Sequence, residues 1–390
     1  MEALVSTVVS VTVALVAVAG VFILANLALD RVGGRRAESL RPWLFAGPAV
    51  LFLFAMLAVP AIRTIILSFQ GGRRGEEGFT LSNWSGVLGS DEIIDLDAAS
   101  HIVTSRLFII GVVLAVLAVV LAGWRRGGVS EGFDVSRPSA TLTLVAAVIA
   151  VLMAVFSTLR GILVNNLWWV VVVAGLATAF GLALAVLADR SRNESLAKTL
   201  IFMPMAISLV GAAIIWKYVY DTGTARQAQG LLNLALPGED VDFIRGTSPG
   251  GTIVPWNNVF IMAIMIWIQT GFAMVVLSAG IKAVPTELQE AARVDGATEV
   301  QVFWRITLPQ ITSTLLVVIT TLAITVLKIF DLVKATSNGT AGTDVLANRM
   351  YEGLRNGNFT TASTFAVMIL VLVLPITYLN VRRSGQEVRA

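Results

Sequence analysis

Cysteine is absent from this 390-residue chain, and histidine occurs once, at His101. Disulfides, thiol nucleophiles and Cys/His metal sites are thereby excluded, and the usual proton shuttle is missing from every apolar stretch. Charged residues make up only 14% of the chain, and the long apolar runs are nearly free of carboxylates, which argues against proton coupling through acids buried in a bilayer. No segment fits the Gly-rich phosphate loop that ends in Gly-Lys-Ser/Thr, so the chain is not expected to bind or split ATP by itself. One loop histidine leaves no serine triad. These absences point away from an enzyme, and no catalytic, metal or cofactor residues are assigned.

What the chain has in excess is apolar length. It is 56% hydrophobic with a mean hydropathy of +0.82, too apolar for a soluble domain. Runs long enough to cross a bilayer as helices fall at residues 4–27, 43–69, 107–123, 140–157, 167–187, 200–220, 258–281, 311–333 and 364–381. The expected fold is all-α, a polytopic membrane bundle of about nine transmembrane helices. The first run follows Glu2 with no basic residue before it, unlike a cleaved signal peptide, and is read as a retained span. The loops on one side hold about twice as many Arg and Lys as those on the other. By the positive-inside rule, that places the N-terminus outside and the C-terminus in the cytoplasm. The same rule accounts for the net charge of +3 without nucleic acid.

The expected organisation is an N-terminal membrane region at 1–160, a transport domain at 161–382 and a cytoplasmic tail at 383–390. The runs at 107–123 and 140–157 read as an added pair of spans. The first is short enough that a shallow interfacial position is the alternative. Gly175 with Ala179, and Gly181 with Ala185, space small residues for close helix packing in lipid. Polar groups inside the runs are informative because hydrocarbon penalises them unless they face protein or water. Ser208, Gln269, Thr270, Thr321, Thr325 and Lys328 are of this kind, with Trp267 and Phe272 beside Gln269. They either line a path for a polar cargo or hold helices together. Lys328 and Asp331, nearly a turn apart, are expected to pair.

The most structured polar stretch is 285–309. Pro285 suits a helix start, and Thr286 with Gln289 has the form of a capping box. The helix should run to Val294 and stop at Asp295-Gly296. Thr298 with Gln301 is a second box, opening a helix to about Arg305 that gives way to the next span at Pro309. Ala291 and Ala292 allow a partner to approach closely, and Glu290, Arg293 and Asp295 offer charge at the rim.

Glu290-Ala291-Ala292, Gly296 and the Ile306, Leu308, Pro309 ending, at this spacing, resemble the EAA loop of binding-protein-dependent ABC import permeases. Further stretches resemble the alpha-glucoside permeases of the maltose-permease-like group: 202–208 with Trp216-Lys217, 266–274, and 345–348 with Met350-Tyr351. Phe79 to Trp84 is similar to a loop of sugar permeases. The resemblance covers 165–382 well and 41–84 more loosely. It implies a type I ABC importer transmembrane fold in the plasma membrane of a prokaryote. It also implies a second permease subunit, a dimer of ATPase subunits that uses ATP and Mg, and an extracytoplasmic sugar-binding protein. The coupling residues would be Glu290, Ala291, Ala292, Asp295, Gly296, Ile306, Leu308 and Pro309. The sugar path would involve Met205, Ser208, Gln269, Phe272, Thr321 and Thr325. An asparagine-rich run of the maltose-type relatives is replaced here by Thr321, Thr325 and Lys328, a departure that bears on residue-level transfer and on maltose itself as the cargo. Alternatives are the same machine with another cargo, such as another oligosaccharide or glycerol phosphate, and, more distantly, a stand-alone secondary transporter or channel.

Overall fold

A computed structural model describes residues 20, 22, 26, 31, 34–95, 98–123, 138–159, 161–189, 191–223, 230–235, 241–244, 246 and 256–387. Most of the first apolar run (4–27), the arginine-bearing loop 124–137 and Arg389 lie outside these residues. The chain divides into two compact units, Met1–Leu67 and Ser68–Ala390. In the first, helix α1 (Gly34–Ser68, its last residue the first of the second unit) exposes Phe52, Phe54 and Leu57 to its surroundings.

The second unit is helical among the described residues, with an isolated antiparallel bridge from Gln70 to Phe79. After α2 (Ser82–Leu88) come the hairpin helices α3 (Arg106–Gly123) and α4 (Pro138–Thr158). The α4 side of their seam is made by Ala140, Ala147 and Ala154, seven residues apart and at most 2% exposed. Helix α5 (Ile162–Asp189) passes through a π turn at Val170–Ala174. Its first free N–H groups are taken by loop carbonyls, Ile162 donating to Glu92 O at 2.9 Å and Leu163 to Ile93 O at 3.2 Å, so the entry to α5 is capped by chain 70 residues upstream.

Helix α6 (Glu194–Phe202) leads through a 3-10 turn (Met203–Ala206) to α7 (Leu209–Tyr220). A short α8 (Leu231–Ala235) precedes the long α9 (Trp256–Lys282). Then come α10 (Thr286–Val294), α11 (Glu299–Gln310), α12 (Thr312–Leu327), α13 (Asp331–Thr336), α14 (Leu346–Arg355) and α15 (Phe359–Glu387).

Among the described residues four helical stretches are long and apolar enough to span: Pro42–Ser68, Ile162–Asp189, Asn257–Lys282 and Phe359–Arg382. Counting two bent pairs as one span each gives six, matching six of the nine runs read from hydropathy, and the runs at 107–123 and 140–157 form shorter apolar helices, Arg106–Leu121 and Ser139–Val155. The expected span 200–220 is a broken one. Glu194–Ala206 and Leu209–Tyr220 meet at 97°. Pro204 brings no N–H to the turn, Ile207 is extended (φ −83°, ψ 135°), and Ser208 caps the new helix by accepting from Gly211 N. The expected span 311–333 also breaks. Helix α12 ends at Leu327 and α13 starts afresh at Asp331, so Lys328 and Asp331 share no helical face and form no ion pair among the described residues.

Helices α5, α9 and α12 share a small-residue core of Ala177, Ala185, Ala273, Met274, Leu277 and Leu322. Gly181 sits in it, where a Cβ would come within 2.5 Å of Ala273 Cβ. Of the two small-residue pairs, Gly181 with Ala185 makes this seam. Gly175 and Ala179 face outward, and a Cβ on Gly175 meets nothing within 4 Å.

Candidate functional site

The segment joining α9 to α12 is an exposed elbow. Helix α10 begins after Pro285, with no side-chain hydrogen bond at its cap. The expected Thr286–Gln289 box does not form, because Thr286 is already the first helical residue and Pro285, which has no side-chain acceptor, occupies the cap. The helix stops where the sequence says it should. Gly296 adopts φ +83°, Gly296 N donates to Arg293 O at 3.1 Å and Ala297 N to Ala292 O at 2.9 Å. That pair of bonds is a Schellman ending with Gly296 in the left-handed position. Two residues on, Thr298 and Gln301 form a complete capping box, so both ends of the bend are closed by local hydrogen bonds.

Arg293 Nε donates to Glu299 Oε1 at 2.7 Å and ties the two helices across the bend. The Glu299 carboxylate holds the Arg293 guanidinium above its ordinary pKa. Around this tie the elbow is apolar and open: Val294 is 87% exposed, Val300 66% and Trp304 62%. Glu290, Ala291, Asp295, Gly296 and Pro309 are exposed, while Ala292, Ile306 and Leu308 are half-buried. An open surface of this size, rimmed by Glu290 and Arg293, fits a protein contact. A π turn at Phe303–Thr307 and a 67° bend after Gln310 carry the chain into α12.

A second structured cluster stands at the same end of α9. Lys198 Nζ is 2.5 Å from Asp189 Oδ1 and 2.6 Å from Glu194 Oε1. Ser278 donates to Asp189 at 2.7 Å, and Lys282 pairs with Glu194. The end of α5, the start of α6 and the foot of α9 are thereby tied by one charge network, three residues before the elbow begins.

The polar residues predicted to face the cargo are partly brought together. A Cβ on Gly271 would lie 2.7 Å from Ile201 O and 3.0 Å from Phe202 Cα. Its absence seats the Met203–Ala206 turn directly against the Gln269–Phe272 stretch of α9. Met205 and Ser208 are exposed there and Gln269 is half-buried. Phe272, half-buried, packs on the core shared by α5, α9 and α12, and Trp267, exposed, meets Trp216 edge-to-face with ring centroids 5.6 Å apart. Thr270 and Thr325 spend their hydroxyl protons on Ile266 O and Thr321 O. Thr321 and Thr325 lie half-buried on α12, with Lys328 exposed beyond its end.

Sequence reasoning missed a buried polar cluster. Asn166 donates to Leu327 O at 3.1 Å and accepts from Leu346 N at 2.9 Å. Asn165 donates to Asp344 O at 2.7 Å and accepts from Asn258, which in turn accepts from Trp169 Nε1 at 2.9 Å. These asparagines replace the backbone partners lost where α12 ends and α14 begins. The paired Asn165-Asn166 and Asn257-Asn258, each at the head of an apolar run, are the signal that marked them.

Residues 175–382 match the family described as binding-protein-dependent transport system inner membrane component. The chain belongs to that family. It is 36% identical to the alpha-glucoside transport system permease protein AglF of Rhizobium meliloti (strain 1021), over 99% of both chains. It is 48% identical to the osmoprotective compounds uptake permease protein GgtC of Synechocystis sp. (strain ATCC 27184 / PCC 6803 / Kazusa), over 57% of this chain and 80% of that one. Its fold is similar, with a TM-score of 0.54 and 20% identity, to a chain in the crystal structure of a bacterial ABC transporter involved in the import of the acidic polysaccharide alginate, over 90% of this chain and 99% of that one. This permease is thus an all-helical membrane component of a transport system, and not an enzyme.

Proposed function

We propose that this permease carries alpha-linked glucosides inward as one subunit of an ATP-driven importer. It would form the path with a second permease and couple to a dimer of ATPase subunits. An extracytoplasmic binding protein would deliver the sugar. The observation that carries the reading is the elbow: a rigid, doubly capped bend with an open apolar surface at the foot of α9 and the head of α12. Both helices run into the core, so a push on the elbow reaches it. Closure of the ATPase dimer on nucleotide supplies a differential affinity for two states of that elbow, which is what shifting the bundle between inward- and outward-open forms requires.

In this reading Glu290, Ala291, Ala292, Asp295, Gly296, Ile306, Leu308 and Pro309 form the contact that receives the push. Sugar passes the junction of Met205, Ser208 and Gln269, with Phe272, Thr321 and Thr325 behind it. The elbow and the C-terminus lie in the cytoplasm and the N-terminus outside, as the arginine distribution favours. The near end-to-end identity to a permease named for alpha-glucosides supports that cargo class. The 48% identity over 57% of this chain to a permease named for osmoprotective compounds favours a second reading, in which the cargo is such a compound. Uptake by the reconstituted importer decides between them. Labelled maltose and trehalose compete with each other, and not with non-glucosidic compatible solutes, if the glucoside reading holds. Uptake of a non-glucosidic osmoprotectant, unaffected by excess maltose or trehalose, would replace it.

A further inference from the structure

At the far end of α7 from Ser208 the structure holds a cavity of about 420 Å³, within the range of small-molecule sites. Lys217, Tyr218 and Asp221 reach it at one helical face and its continuation, spaced by one, three and four residues, and Thr222, Asp242 and Thr336 complete its polar lining. Helix α7 is twelve residues long, a rise of about 18 Å, and the cavity takes its lining from Ile214 onward, so it lies along the C-terminal half of the helix that Ser208 caps at its start.

Its wall is held in place. Asn233, 7% exposed, donates to Asp221 O at 2.9 Å and to Val241 O at 3.0 Å, and accepts from Val241 N at 3.0 Å. That single amide clamps the two loop strands that carry Asp221 and Asp242. Behind them Tyr220 is anchored by its hydroxyl to Phe260 O at 3.1 Å and packs against Trp216, Phe243 and Phe260. Tyr218, by contrast, is 64% exposed and offers its ring.

We propose that this cavity is an outer sugar subsite of the transport path, binding one neutral hexosyl ring of the cargo before it reaches the junction at Ser208. The proposal deepens the importer reading and rests on it. The chemistry selects a polyol. The carboxylates of Asp221 and Asp242 accept from hydroxyl donors, the Lys217 ammonium and the Thr222 hydroxyl donate to ring and hydroxyl oxygens, while Thr336 spends its own proton on Leu332 O at 2.7 Å, and the exposed Tyr218 ring covers the apolar face of a pyranose.

The test is equilibrium binding of radiolabelled maltose and trehalose to the complete importer in lipid nanodiscs, without ATP and without the binding protein. Tyr218→Ala and Asp242→Asn each weaken binding by about tenfold, the loss of roughly one good contact, and Tyr218→Phe, which keeps the ring, restores most of the affinity. Co-purification of the ATPase with each variant shows that assembly is intact. Affinities in Tyr218→Ala and Asp242→Asn equal to wild type overturn the subsite, as does binding that is lost only in Gln269→Ala. A wild type that binds neither sugar in this assay also overturns it. The importer reading is judged separately, by whether a sugar-loaded binding protein stimulates hydrolysis.

Discussion

Replacing Gly296 by valine isolates what the elbow does. A Cβ at this position meets no atom within 4 Å, so the perturbation is not steric crowding by neighbours. It is conformational: φ is +83°, and an L-residue there costs roughly 1–2 kcal/mol, more when β-branched. Relief requires leaving the left-handed region, which breaks the bonds from Gly296 N to Arg293 O and from Ala297 N to Ala292 O. A 2 kcal/mol penalty changes the population of the native bend by about thirtyfold. The core-facing helices do not depend on that bend, so the variant inserts and recruits its partners. The expected outcome is that sugar-stimulated ATP hydrolysis and uptake in proteoliposomes fall by tenfold or more. Gly296→Asn, which visits the left-handed region more readily, retains most of both. Wild-type hydrolysis and uptake in Gly296→Val refute the coupling role assigned to the bend.

Thr298→Ala removes the capping box on the other side of the bend and costs about 1 kcal/mol; coupled transport drops severalfold, and Thr298→Ser restores it. Gly271→Ala forces a methyl group against Ile201 O and destabilises the bundle by about 1–3 kcal/mol, read as a lower melting temperature in detergent, whereas Gly175→Ala, facing open space, leaves melting unchanged or slightly raised. Asn166→Leu strands Leu327 C=O and Leu346 N–H and lowers stability on the order of 3 kcal/mol; an unchanged melting temperature contradicts the role given to that side chain.

The elbow was legible because its signals are local. A glycine at the helix stop and a threonine three residues before a glutamine each report on a few neighbouring residues, and both did what their chemistry requires. The missing box at Thr286 failed for an equally local reason: Pro285 took the cap. The breaks at Ile207–Ser208 and Lys328–Phe330 were not legible, because the apolar run resumes after each of them and Lys328 and Asp331 read as an intrahelical pair rather than as a helix end. The backbone groups freed at the second are satisfied from afar, Asn166 reaching Leu327 across 161 residues and Leu346 across 180. No window of sequence contains those pairs. The sequence picked out the polar residues within the runs as a set. Their individual roles were not, since whether a threonine hydroxyl turns back on its own helix, as Thr270 and Thr325 do, depends on rotamer rather than residue type.

The most direct test of the account is ATP hydrolysis by this permease, assembled in lipid nanodiscs with its second permease and ATPase, in the presence of the binding protein with and without an alpha-glucoside. The account predicts an assembly whose hydrolysis rises severalfold only when the binding protein is loaded. An ATPase that assembles but ignores every glucoside contradicts the cargo. Failure of the permease to recruit any ATPase contradicts the coupling role of the elbow itself.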